Sequence, residues 1–167
     1  MKVVDNFLPE KELQKIKSLV MSSGSTIHFN IQNSVASQLE GEDDRHWNWY
    51  GQHMVFNDSM PIQQSYNELY WIFKDKLEDF HCFQRIKINF YPYTESVMEH
   101  SKHRDASYSH RAAVFSINTC DGFTRMEDGS RIDSVENRIV YFDGSSEHNS
   151  STTSNCYGRY NINFNYF

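Results

Sequence analysis

Residues 157–166 alternate strictly: Tyr160, Ile162, Phe164 and Tyr166 fall on one row, and Arg159, Asn161, Asn163 and Asn165 on the other. A repeat of two residues puts each row on its own side of an extended strand, whereas a helix would mix the rows on every turn. The stretch is therefore read as a strand with one greasy and one polar face. From Phe83 the pattern recurs, with Ile86, Ile88 and Phe90 on one side and Arg85, Lys87, Asn89 and Tyr91 on the other. Such a polar row suits a strand that leaves one side in water. It also suits a strand whose amides line a pocket, and Asn, a poor strand former, is easier to justify there.

Further strands are expected over residues 112–118, 123–126, 131–135 and 138–142, separated by the turn signals Asp121-Gly122, Asp128-Gly129, Glu136-Asn137 and Asp143-Gly144. Two helices precede them. Pro9 with Glu10 and Glu12 opens the first, at about residues 9–22, with Leu13, Ile16 and Val20 on one stripe and Gly24 beyond its end. The second is expected over about 61–80, with Asp58 or Ser59 as cap, Pro61 as first residue and a stripe of Ile62, Tyr66, Leu69, Phe73, Leu77 and Phe80. Both helices read as buttresses without chemistry of their own. Residues 25–57, including Trp47, Asn48, Trp49 and Tyr50, read as short strands or loops. The expected fold class is mainly β with flanking helices, an antiparallel sandwich or barrel-like jelly roll with the helices outside one sheet. At 167 residues, with 12 Phe, 10 Tyr and 3 Trp to fill a core, the chain is expected to form a single domain over 1–167, its β core at about 83–167.

A formal net charge of −6 disfavours a primary role in gripping nucleic acid. The longest strictly apolar stretches are a few residues, far short of the ~20 that cross a bilayer. MKVVDNFLPEKELQ has no small-residue cleavage site, so no signal peptide is read and a cytoplasmic location is expected. Cys82, Cys120 and Cys156 form no CxxC pair and are read as reduced packing residues.

The densest set of ligand-type side chains is Glu99, His100, His103, Asp105 and His110. In the string His103-Arg104-Asp105, an extended backbone would let His103 and Asp105 point together while Arg104 points away. His148 lies 43 residues beyond Asp105, in the turn expected after Phe142, where antiparallel pairing could bring it beside that pair. Two histidines and one carboxylate cover one face of an octahedron and leave three positions open, which suits non-haem Fe(II) oxygen chemistry. Eleven residues past His148, on the polar row, Arg159 offers a guanidinium fork that could pair bidentately with a carboxylate near the metal. A metal face with an anion clamp points to a chelating diacid cosubstrate.

At these residues the sequence resembles the 2-oxoglutarate and Fe(II)-dependent dioxygenases, specifically the small prolyl-4-hydroxylase-like branch with a double-stranded β-helix (jelly roll) core. The motif is H-x-D, a distant H and a basic residue about ten positions on; the flanks VVDNFLPEKELQKI and RIVYFDGSSEHNSS look like the family's start and its third-ligand segment. The resemblance implies that His103, Asp105 and His148 hold Fe(II), that Arg159 binds the distal carboxylate of 2-oxoglutarate, and that Tyr91, with Asn161 nearby, contacts that cosubstrate. The interval from Tyr91 to His103 is longer than the family's usual spacing, so Tyr93 competes for the tyrosine role. Many relatives carry Lys at the clamp where this chain has Arg159, and some carry Ser where it has Asn161. The implied activity is hydroxylation of an unactivated C–H bond, first of all in a prolyl residue of a peptide or protein, with O2 consumed, 2-oxoglutarate decarboxylated to succinate and ascorbate as a reductant. Small-molecule substrates remain open, and Trp47, Trp49, Tyr50 and Arg125 are candidate substrate contacts that packing explains equally well.

Two other readings compete. One is a zinc-dependent hydrolase using His100, His103 and His110, whose spacing fits neither a zinc finger nor HExxH. The other is a non-catalytic jelly-roll binding module in which Arg159 grips an anionic ligand.

Overall fold

A computed structural model describes residues 1–33 and 48–167. Along the chain run β1 (Lys2–Val4), α1 (Glu10–Met21), β2 (Asn30–Asn33), β3 (Trp49–Asn57), β4 (Met60–Pro61), α2 (Ser65–Phe73), β5 (Phe83–Pro92), β6 (Arg111–Ser116), β7 (Phe123–Met126), β8 (Arg131–Asp133), β9 (Arg138–Asp143), β10 (His148–Ser150) and β11 (Gly158–Tyr166). They build two antiparallel sheets. The larger has the order β1-β9-β6-β11-β5-β3-β2 with β4 attached to β3, and the smaller the order β10-β7-β8. The fold is a jelly roll of mainly β structure.

Strand alternation decides what each face of the large sheet meets. Phe115, Ile139, Ile162, Phe164, Ile86 and Ile88 point to one side, where Leu13, Ile16 and Val20 of α1 and Leu69 and Phe73 of α2 bury against them. The helices thus sit outside one sheet. On the opposite side Ala112, Val114, Val140 and Phe142 meet Met126 of the small sheet, with Ile132 partly buried against them, so the sheets face each other across an apolar seam. Next to that seam the interior turns polar, because Arg159, Asn161, Asn163 and Asn165 of β11 are buried there. Their cross-strand partners on β5 are Tyr91, Asn89, Lys87 and Arg85, so the two polar rows lie side by side.

The second helix differs from expectation. Pro61 belongs to β4, opposite Phe56, and α2 begins four residues later at Ser65. Asp58 and Ser59 are not caps: with φ of 48° and 66° they form the two-residue turn of the β3–β4 hairpin, a geometry that wants left-handed residues. Asp, Ser and Pro signal a helix start and a tight turn alike, and here the hairpin wins. The helix ends at Phe73, yet Leu77 and Phe80 still reach the same core from the turns beyond it. Strands β3 and β10 were not separately expected. The first is masked by its polar aromatic residues and the second is three residues long. Trp47 lies outside the described residues. Among the described residues no helix is long and apolar enough to cross a membrane.

Asn137 pins the N-terminal strand and helix to this frame. Its backbone is left-handed (φ 62°), its Oδ1 accepts from Leu8 N at 2.8 Å and its Nδ2 donates to Leu8 O at 2.9 Å. Asn137→Ala would leave two buried backbone groups unpaired and place in the left-handed turn a residue that tolerates it less well than Asn, so destabilisation by about 3 kcal/mol is expected. Thermal unfolding measures it, and Asn137→Gly should recover about 1 kcal/mol of that loss by relieving the backbone share.

Candidate metal centre and anion pocket

The polar half of the interior encloses a small cavity lined by Lys87, Asn89 and Tyr91 from β5, Asn161 and Asn163 from β11, and His103, Asp105, His148 and Asn149 from the opposite wall. Backbone pairing assembles that wall. His103 and His148 exchange both amide bonds, at 2.8 and 2.9 Å, as an isolated antiparallel bridge, and Asp105 N donates to Gly144 O at 2.9 Å. Asp105 is thus held by a bend beside the Asp143-Gly144 turn, not by a strand running on from His103 as expected. His148 opens β10 instead of lying in a turn, paired with Met126 of β7. Gly144 is needed here, since a Cβ would stand 2.1 Å from His110 Nε2.

His103, Asp105 and His148 each present a ligand atom, all within 4.8 Å of one another, and among the described residues they are the one such group able to share a metal ion. Their protonation suits the task. Burial, helped by neighbouring His148, pushes His103 down to about 4, so at neutral pH its ring carries a free lone pair. His148 Nδ1 donates to Ser146 O at 3.1 Å, and Nε2 is turned toward Asp105 Oδ2, 3.9 Å away. Burial alone would raise Asp105, but the cations of Lys87 and Arg85 outweigh it and hold the carboxyl at about 2. Arg85 Nη2 lies 2.5 Å from Asp105 Oδ1, and Asn163 Nδ2 donates to Oδ2 at 3.4 Å. Two imidazoles and a carboxylate are a donor set for a divalent first-row metal, and the buried His103 Nδ1 has no hydrogen-bond partner among the described residues.

Arg159 stands at the Tyr91 end of the polar rows and is 1% exposed. Its Nη2 donates to Thr124 Oγ1 at 2.8 Å and its Nη1 to Ser151 O at 3.4 Å, while Nε is buried without a partner among the described residues. The guanidinium lies 5.3 Å from the centre of the Tyr91 ring. Among the described residues no carboxylate pairs with it, so the site holds a buried cation that an anion would compensate. Burial depresses the Arg159 cation and raises the Tyr91 phenol, which therefore stays a donor. Tyr91 is 7% exposed and lines the cavity, whereas Tyr93 is 53% exposed and does not. Asn161 Oδ1 accepts from Asn89 Nδ2 at 3.0 Å.

The remaining histidines are engaged elsewhere. His100 Nδ1 meets Ser150 Oγ at 3.0 Å, and His110 bonds Asn165 and Tyr108 O, so His100, His103 and His110 do not converge on one ion. Arg125 pairs with Glu99, and Tyr50 stacks on Tyr91 with ring centres 5.8 Å apart. Trp49 packs against Phe90. Arg85, Lys87 and Thr124 were not singled out as site residues. The first two share the strand face of Tyr91, a signal that was present in the alternation.

No family model matches this sequence, and no curated protein does. Solved structures do match. An oxidoreductase of the 2OG-Fe(II) oxygenase family from Burkholderia pseudomallei is 12% identical, with 98% of this chain and 82% of that one covered and a TM-score of 0.68. A Pseudomonas putida prolyl-4-hydroxylase is 14% identical over 99% of this chain and 91% of its own, with a TM-score of 0.62. A Trichoplax adhaerens prolyl hydroxylase, solved with a hypoxia inducible factor oxygen degradation domain peptide fragment, is 14% identical over 99% and 82%, with a TM-score of 0.65. At these identities the likeness is one of fold.

Two outcomes are expected. Calorimetric titration of the metal-free protein with Mn(II) should show one site, weakened at least roughly 100-fold by His148→Ala with the circular dichroism unchanged. Because the folded pKa of Asp105 is depressed to about 2 from 3.8, its contribution of about 2 kcal/mol is present above pH 4 and lost as pH falls toward 2. Urea unfolding of metal-free Asp105→Asn should lack that share of the acid limb.

Proposed function

We propose that the protein is an Fe(II)- and 2-oxoglutarate-dependent dioxygenase that hydroxylates a C–H bond. The overall change is R–H + O2 + 2-oxoglutarate → R–OH + succinate + CO2, with one oxygen atom entering the product and the other succinate. The observation that carries this reading is the pairing, in one polar interior, of a His-Asp-His donor set with a buried guanidinium that lacks a carboxylate among the described residues. A hydrolytic metal site has no use for the second feature, and an anion-binding module none for the first.

His103, Asp105 and His148 would hold the metal, covering one face and leaving the other open. Bound Fe(II) would supply the redox chemistry with O2 that side chains cannot. Arg159 would take the distal carboxylate of 2-oxoglutarate in a charge-assisted pair, its fork kept in place by Thr124 Oγ1 and the Tyr91 ring. Tyr91 would donate its phenolic hydrogen to the same carboxylate. Arg85 and Asn163 hold the Asp105 carboxylate in position. The two-sheet interior excludes water from the reacting atoms. For the substrate, a prolyl residue of a peptide is the first choice, supported by the prolyl hydroxylases of like fold, one of them bound to a peptide.

The test is succinate release from purified protein with Fe(II), 2-oxoglutarate and ascorbate, with and without peptide and amino-acid libraries. Arg159→Ala should raise the 2-oxoglutarate concentration for half-maximal release roughly 100-fold, the loss of about 3 kcal/mol expected for a charge-assisted pair, with Mn(II) affinity unchanged. An unaltered 2-oxoglutarate requirement would refute the clamp, and absence of turnover across both libraries and in the uncoupled reaction would favour the binding module.

A further inference from the structure

Lys87 sits in the same cavity, and beyond the positive charge it sets beside Asp105 the proposed reaction gives it no ligand. It lies on β5 beside Asn163, four residues from Tyr91, so its backbone position and that of Arg159, which pairs with Tyr91, stand about 13 Å apart along the paired polar rows. Its neighbour Arg85 has already taken the Asp105 carboxylate. Lys87 Nζ itself donates no hydrogen bond and enters no ion pair among the described residues, although it is partly buried against the metal-ligand wall.

The charge balance sharpens this. Around the cavity Arg85, Lys87 and Arg159 face Asp105 alone, the histidines being neutral as ligands. Of the nearby surface charges, Glu99 is matched by Arg125 and Glu147 by Arg104. A divalent metal and a 2-oxoglutarate dianion cancel each other, so loading the site leaves the surplus of two positive charges where it was. In a partly desolvated cavity such a surplus attracts an anion and repels a cation.

Resting on the dioxygenase reading, we propose that Lys87 binds a carboxylate of the substrate, so that the enzyme hydroxylates a molecule with an acidic group near the reacting carbon. A free acid, such as an amino acid with its α-carboxylate, and an acidic side chain in a peptide share this chemistry. A single ammonium with rotatable donors suits such a point contact, while the fork of Arg159 suits the cosubstrate.

The test uses protein loaded with Mn(II) and saturating 2-oxoglutarate, with acetate and acetamide as probes. Broadening of the probe methyl proton signal reports approach to Mn(II) without turnover. Acetate should be broadened and acetamide not. Lys87→Met should reduce the acetate effect at least roughly tenfold, and Lys87→Arg should restore most of it. Calorimetric 2-oxoglutarate affinity should be the same in Lys87→Met as in the parent. Equal broadening of both probes, no acetate broadening, or an effect that survives in Lys87→Met would overturn the proposal. So would a raised 2-oxoglutarate requirement in Lys87→Met, which would make Lys87 a cosubstrate ligand. Failure of Mn(II) and 2-oxoglutarate to load at all would instead sink the dioxygenase reading. With the site loaded, L-glutamine, whose only carboxylate is the α one, against N-acetyl-glutamyl amide, whose only carboxylate is the side chain's, distinguishes a free acid from a peptide side chain, according to which one loses binding in Lys87→Met.

Discussion

A full positive charge is sealed inside this protein at Arg159, answered among the described residues by a hydroxyl, a carbonyl and the face of a tyrosine. Much of the local construction follows from having to house it. Gly122 carries no side chain because a Cβ there would stand 2.8 Å from Arg159 Cδ and 2.7 Å from Thr152 O. Thr124 of β7 supplies the hydroxyl, which ties the small sheet to the central strand of the large one. A buried charge left without a counter-ion costs several kcal/mol, and a fold tolerates it where a ligand completes the pair.

The space between the sheets is divided along the strand order. At β6 and β9 it is filled by Ala112, Val114, Val140 and Phe142, and this seam supplies rigidity. At β11 and β5 it is filled by amides and charges with unmet capacity: Asn89 Oδ1 on β5 and, across the cavity, Asn149 Oδ1 on β10 are buried without partners among the described residues. Binding needs unmet hydrogen-bonding groups and an immobile frame to hold them, and the two halves provide one each. The helices add to the frame from outside by covering the opposite face of the same sheet.

Strict alternation made β5 and β11 readable from residues alone, and with them the polar rows that became the cavity wall. The class of fold followed from strands separated by tight turns. Helix α2 was harder, because Asp58, Ser59 and Pro61 serve a hairpin turn as readily as a cap, and only pairing between Phe56 and Pro61 decides between them. His103 and Asp105 were legible as neighbours but for a different reason than the one that operates: a bridge to His148 and a bond to Gly144 O set them, and both are long-range contacts with no local signature. Arg85 and Lys87 were visible on the correct face. Their bearing on Asp105 depends on where the chain returns after β5, which periodicity does not encode.

Strand β11 lies between β6 and β5, in the middle of the large sheet, and it follows every other described element in the chain. During synthesis, then, the three candidate metal ligands leave the ribosome before the strand that walls their cavity. Until it inserts, β5 and β6 expose unpaired edges to each other, and pairings this remote in sequence close slowly. A nascent chain therefore cannot hold a metal ion in the finished geometry of the candidate site, and truncation within β11 would leave the split sheet open to the chaperones and proteases that patrol such edges.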